Sequence, residues 1–271
     1  MTVLQESFQL ENGVKIPKIG LGTWQSAPQD AYNATKFALE NGYIHVDTAY
    51  VYGNEPEVGK AVREAAVNRE DIFVTTKVPA EITTYEEAKA VIEKSLSQLD
   101  IDYIDLLLIH APRPWSRIKQ PNPAEDDLKN REVWRAMEEF YEAGQVKSIG
   151  VSNFSQREIE TLLEHGKVQP MVNQIIYHIG NTDPELLAFC QEKNILVEGY
   201  SPIATGRLLK DEKVLAIAEK YGKSIPQISI RYLLEKGILP LPKSVHEEYI
   251  LQNSQVDFEL TKEDVAYLDS L

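Results

Sequence analysis

Apolar and polar positions alternate along this chain in two rhythms that replace each other at regular intervals. Short, almost wholly apolar runs suit strands buried on both faces: KIGLGTW, IHVDTA, DIFVTTKV, DYIDLLLIH, VKSIGVSN, PMVNQIIY, ILVEGYSP and ILPLPKS. Between them lie windows with apolar residues at helical spacing, among them DAYNATKFALENG, EEAKAVIEKSLSQLD, REVWRAMEEFYEAG and SQREIETLLEHG. Gly42, Gly144, Gly166 and Gly237 stand where helices should stop. Asn12-Gly13, between SFQL and VKIP, signals a β-hairpin before the first repeat. Eight evenly spaced strand–helix units predict an α/β fold, a (β/α)₈ TIM barrel preceded by that hairpin, with an open doubly wound sheet as the alternative. No linker composition divides the chain, so residues 1–271 are expected to form one domain. The longest connection, PRPWSRIKQPNPAEDD after the fourth strand, reads as a functional loop.

Composition narrows the class of protein. The 271 residues carry a formal net charge of −14, a field that repels nucleic acid and anionic membranes. No stretch of eighteen apolar residues occurs, and the N-terminus MTVLQESFQLENG has no secretory pattern. Cys190 is the only cysteine, which excludes an intrachain disulfide and suits a cytoplasmic protein. The five histidines are scattered, so no metal is expected. Gly20 and Gly22 begin a dinucleotide-binding glycine pattern that Gln25 interrupts. The Gly53 to Gly59-Lys60 stretch fails as a phosphate loop, with Ala61 where a hydroxyl is needed.

In a barrel, reactive groups project from the C-terminal strand ends. Three successive predicted strands carry a titratable residue there, Asp47, Lys77 and His110, and Tyr52 follows Asp47 by five residues. Singly, each has a structural reading: a turn cap, a snorkelling lysine, a hydrogen-bonded histidine, a rim aromatic. Together they suit carbonyl reduction, which needs a proton for the oxygen as hydride reaches the carbon. Lys77 would lower the pKa of Tyr52, the acid, and Asp47 would orient Lys77. Neutral His110 would donate a hydrogen bond to the carbonyl oxygen. Two other functions stay open: a Schiff-base aldolase acting through Lys77, and a non-enzymatic cofactor-binding barrel.

The motifs GVKIPKIGLGTW, GYIHVDTAYVYGNEPEVGKAV, KSIGVSNF and LPKS, in this order, resemble the aldo-keto reductase family over essentially the whole chain, in particular its short bacterial-type members. The resemblance implies the tetrad Asp47, Tyr52, Lys77 and His110, and NADPH (with NADH possible) bound without a Rossmann unit. It assigns Ser152, Asn153 and Gln174 to the nicotinamide carboxamide and Tyr200 to stacking on the ring. Gly22, Thr23 and Asp47 would also border the cofactor, and Ser201, Pro202, Ile203 and Arg207 would begin a loop over its pyrophosphate. Lys243, Ser244, Val245, Tyr249 and Asn253 would surround its adenosine end. Trp24, Tyr52, His110, Ala111 and Trp115 would contact a small-molecule carbonyl substrate, the expected partner of a monomeric enzyme.

Departures from the family pattern carry further expectations. His110-Ala111-Pro112 replaces the frequent His-Trp-Pro, which should open the pocket beside His110 unless Trp115 fills the space. Tyr249 stands where an arginine often meets the 2′-phosphate, which should reduce the margin of NADPH over NADH. The chain ends at Leu271 after TKEDVAYLDSL, without the long C-terminal loop of larger relatives, so broad substrate choice is expected.

Overall fold

A computed structural model describes residues 2–271. Ser7–Gln9 (β1) and Lys15–Pro17 (β2) pair antiparallel, and Gly13 supplies the left-handed turn between them at φ +87°. Eight parallel strands follow: Leu21–Gly22 (β3), His45–Asp47 (β4), Phe73–Val78 (β5), Leu106–Ile109 (β6), Ile149–Ser152 (β7), Val172–Ile176 (β8), Leu196–Tyr200 (β9) and Leu239–Leu241 (β10). They lie side by side in chain order. A parallel bridge between Gly22 and Lys243, with Gly22 N donating to Pro242 O at 2.9 Å, joins the two edges into a barrel.

The helices pack outside: Pro28–Glu40 (α1), Glu55–Glu64 (α2), Tyr85–Leu99 (α3), Pro123–Glu142 (α4), Gln156–His165 (α5), Pro184–Glu192 (α6), Glu212–Tyr221 (α7), Ile225–Glu235 (α8), Glu247–Ser254 (α9) and Lys262–Asp269 (α10). Strand side chains alternate between two environments because the pleat has a period of two. Val46, Val74, Leu107, Ile109, Ile149, Val151, Ile175 and Val197 face the helices in the main core. Phe73, Leu106, Leu108, Val172, Leu239 and Leu241 point inward and meet Leu10 and Ile16, so the hairpin closes the N-terminal end of the barrel. The interior is tight: a Cβ at Gly20 would lie 2.7 Å from both the His45 ring and Leu241.

The parity that sends Val46 and Val74 outward turns Asp47 and Lys77 inward near the opposite end. Helix α4 begins at Pro123, inside the segment read from sequence as loop. Proline at the first helical turn sacrifices no hydrogen bond, and Glu125 and Asp126 complement the helix dipole there. The connection after β6 therefore shrinks to residues 110–122. The expected helix ends hold: Gly42, Gly144 and Gly237 take left-handed φ, whereas Gly166 is extended at φ −80°.

Candidate active site

A cleft of about 770 Å³ opens at the C-terminal end of the barrel, a size typical of small-molecule sites. Asp47, Tyr52 and His110 line it, and Lys77 lies buried directly beneath. Lys77 Nζ donates to Asp47 Oδ1 and Oδ2 at 2.7 and 2.8 Å and to Thr48 O at 2.8 Å. All three ammonium hydrogens are thus used. Nζ also stands 5.1 Å from the Tyr52 ring centre, and the Tyr52 and His110 rings meet edge to face at 5.6 Å.

Electrostatics sort these groups by role. Burial opposes the Lys77 charge, but Asp47 and the other nearby groups outweigh it and hold the ammonium above the usual lysine range. Burial and the Lys77 charge push His110 down to about 3, so the imidazole is neutral, and its Nδ1 has no partner. The expectation that Lys77 lowers the Tyr52 pKa is corrected. Lys77 does pull it down, but burial is the larger effect and Asp47 adds to it, so the phenol is raised and keeps its proton.

On the facing wall, Ser152 Oγ donates to Gln174 O at 2.8 Å, and Asn153 Nδ2 donates to Ser152 Oγ at 3.0 Å and His110 O at 3.1 Å. Tyr200 OH donates to Asn153 Oδ1 at 2.8 Å. Gln174 Nε2 donates to Asp47 Oδ2 at 2.8 Å. Asn153 and Ser201 hold left-handed backbone at φ +61° and +53°, conformations that cost non-glycine residues energy and that gather where loops shape a site.

Of the remaining candidates, Gly22, Trp24, Trp115, Ser201, Pro202, Ile203 and Lys243 also reach the cleft wall. Thr23 is buried behind it, its hydroxyl donating to Asp47 O at 2.9 Å. Ser244 Oγ accepts from His246 N at 3.0 Å. Like Ser244, five further residues are not brought to the wall. Arg207 turns its guanidinium to Ala204 O at 3.3 Å. Val245 is half-buried beside Ser244, and Asn253 is buried on α9. Tyr249 is 52% exposed, its ring against His246. Ala111 is fully buried, and the Trp115 indole stands edge-on to His110 at 5.5 Å. The gap expected beside His110 is therefore occupied.

Sequence reasoning missed Gln25, Val51, Ile176, Thr205, Gly206 and Leu241, which line the cleft. Each lies within a few residues of a strand end, the one signal that could have found them. It also missed Asn54, which accepts from Thr48 Oγ1 at 2.7 Å and donates to Thr23 O at 3.1 Å and Ser26 O at 3.3 Å. Asn54 ties the loop of Trp24 to the loop of Tyr52. Arg113 likewise anchors the Trp115 loop through Asp126 (2.7 Å) and Glu158. Among the described residues, no group of three or more His, Cys, Asp or Glu side chains is placed to hold a metal ion, and no helix is long and apolar enough to cross a membrane.

A parallel barrel carrying an Asp–Lys pair beneath a tyrosine and a neutral histidine is the framework of an oxidoreductase. The aldo/keto reductase family profile matches residues 18–271, and the chain belongs to that family. It is 40% identical to a glyoxal reductase of Bacillus subtilis (strain 168), over all of this chain and 94% of that one. Its fold superimposes on an aldo-keto reductase from a Medee basin deep-sea metagenome library with a TM-score of 0.90 and 43% identity, covering 97% of this chain and 94% of the other. A Bombyx mori aldo-keto reductase in complex with NADP gives a TM-score of 0.88 and 36% identity, covering 98% and 92% of the two chains.

Proposed function

We propose that the protein reduces aldehydes or ketones to alcohols with NADPH, and that Tyr52 is the proton donor. The observation that carries this reading is the triply bonded Lys77 ammonium held beneath a protonated phenol at the cleft floor.

The residues of the cleft fit a nicotinamide dinucleotide. Gln174 Oε1 accepts no hydrogen bond from a described residue, while both amide hydrogens of that side chain are engaged elsewhere. It therefore offers an acceptor to the carboxamide NH₂. Ser152 and Asn153 would complete that contact, and Tyr200 would stack on the ring. At Gly22 a Cβ would stand 3.5 Å from Leu241 O and Lys243 Cβ, so glycine leaves open the floor between the first and last strands. Lys243 is an exposed cation at the far end of the cleft, suited to the 2′-phosphate as a point charge. When bound, the reduced nicotinamide supplies hydride to the carbonyl carbon.

The protein's own groups handle the oxygen. His110, neutral at working pH, donates a hydrogen bond that orients the carbonyl and stabilises the charge developing on its oxygen. Tyr52 gives its proton to that oxygen, and the phenolate left behind faces the Lys77 ammonium, which lowers the cost of the transfer. Asp47 keeps Lys77 charged and fixed. Trp24, Trp115, Val51 and Ile176 give the cleft an apolar mouth. Schiff-base chemistry is disfavoured, because attack needs a free amine and Lys77 is buried, fully bonded and protonated.

The test is oxidation of NADPH and of NADH followed across a panel of aldehydes, keto sugars and diketones. Reduction with a preference for NADPH supports the reading. Failure of every carbonyl at saturating NADPH, with borohydride trapping a substrate on Lys77, overturns it.

A further inference from the structure

Below the cleft floor lies a carboxyl that the proposed mechanism does not use. Glu198 on β9 is fully buried and stands in register with Gln174 of β8. It lies two residues below Tyr200, hence on the same inward face. Its Oε2 accepts from Gln174 Nε2 at 2.8 Å, and that nitrogen also donates to Asp47 Oδ2 at 2.8 Å. An amide nitrogen carries two hydrogens, so both are spent on carboxyl groups and only the amide oxygen is left for the cleft. The second oxygen of Glu198, Oε1, is buried without a partner. The charged groups acting on Glu198 are Asp47 from β4 and Lys77 from β5, while its register partner on β10 is the apolar Leu239.

We infer that Glu198 is a positioning residue for the proposed reaction, its buried carboxyl holding the Gln174 amide with the oxygen toward the cleft and governing the charge beneath Tyr52. The inference rests on the reading of Gln174 as the carboxamide acceptor. Asp47 alone could occupy one Gln174 hydrogen; the second acceptor is what fixes the amide against a flip. Burial, and then the nearby Asp47 charge, push Glu198 up to about 8, so near neutrality it is an uncharged acid. In that state Lys77 and Asp47 are the charged pair beneath Tyr52. Ionisation adds a second carboxylate facing Lys77, offsets its field and makes the developing Tyr52 phenolate less stable.

Three measurements test this. Infrared difference titration of the free protein should show a protonated-carboxyl band that disappears with a midpoint near pH 8 and is absent from Glu198→Gln. The ratio of kcat/KM at pH 9 to that at pH 7 should be higher in Glu198→Gln than in the wild type by roughly tenfold. With a midpoint near 8, about a tenth of the protein still carries the carboxyl proton at pH 9, which caps the fall at about tenfold, although the added charge, acting over several ångströms at an effective dielectric near 20, would slow the ionised form by more. Glu198→Leu releases one Gln174 hydrogen, so NADPH Kd by fluorescence quenching, and cofactor KM, should rise more than kcat falls. Should the Leu variant not fold, the isosteric Gln variant and the infrared band decide alone. A band absent at pH 6, an equal pH 9 to pH 7 ratio in wild type and Glu198→Gln, or a Leu variant that loses kcat at unchanged Kd would each overturn the inference. Failure of the wild type to bind NADPH would instead overturn the reading of the cleft, and this inference with it, even with the carboxyl band at its expected midpoint.

Discussion

Replacing Lys77 with methionine, and then repairing the charge with Asp47→Asn, separates what the buried pair does for stability from what it does for turnover. Lys77 is 1% exposed and Asp47 5%, and the pair is bonded at 2.7 and 2.8 Å. Lys77→Met keeps the volume but strands the Asp47 carboxylate with Gln174 as its remaining side-chain donor. Breaking a buried pair from one side costs about 3–5 kcal/mol, because the survivor keeps its desolvation without its partner. For a chain of this size, at roughly 2–4 °C per kcal/mol, Tm should fall by about 6–20 °C. The double variant Asp47→Asn/Lys77→Met removes the stranded charge and should recover most of that loss. Turnover should not follow. The ammonium proposed to ease proton transfer from Tyr52 is missing from both variants, so both should lose about 10²–10⁴-fold in kcat. Thermal unfolding and steady-state kinetics on wild type, both single variants and the double complete the cycle. Recovery of kcat along with Tm would make the pair purely structural and rule out a part for Lys77 in turnover.

Other outcomes follow from the same geometry. Glu198 is held near 8 in the folded state against an ordinary 4.5, so its stabilising effect is complete below about pH 4.5 and is lost as pH rises through 8. The Tm of wild type minus that of Glu198→Gln should therefore fall steadily across that window, and a flat difference would contradict the burial argument. Lys243→Ala should weaken NADPH about tenfold, the loss of one charge-assisted contact, and leave NADH nearly unchanged, as read by fluorescence quenching at fixed salt. Trp115→Ala should raise kcat/KM for bulky carbonyls relative to small ones; no change in the ratio would mean that the indole does not bound the substrate. These roles belong to Trp115 and not to Ala111, which is buried away from the cleft.

The barrel was legible because its signal is repetitive: eight apolar runs spaced by amphipathic windows leave few other ways to bury both faces of a sheet. The inward set Asp47, Lys77 and His110 was legible for a related reason, since strand ends point to one mouth. Hidden from the sequence was anything that depends on how much water reaches a group. Lys77 near Tyr52 suggested a lowered phenol, yet burial wins, and that depth is a property of the assembled loops. Ala111 suggested an empty space, which the chain fills from four residues away with Trp115. Tyr249 was placed by spacing from Lys243, but α9 starts at Glu247 and its first turn leaves that ring half in solvent. Glu198 reads as one charge inside an apolar strand, and only the register with Gln174 shows what it touches.

The proposed role of the Tyr52 phenol as proton donor is open to direct measurement. Tyr52→Phe removes one oxygen and keeps the ring that packs edge to face on His110. The direct measurement is single-turnover reduction by this variant beside its NADPH Kd, with the fold checked by circular dichroism. An NADPH Kd within a few-fold of wild type and a reduction rate lower by about 10²–10⁴-fold are expected, since a general acid contributes in the transition state and not in binding. Near-normal reduction by the folded, NADPH-bound variant would contradict that role.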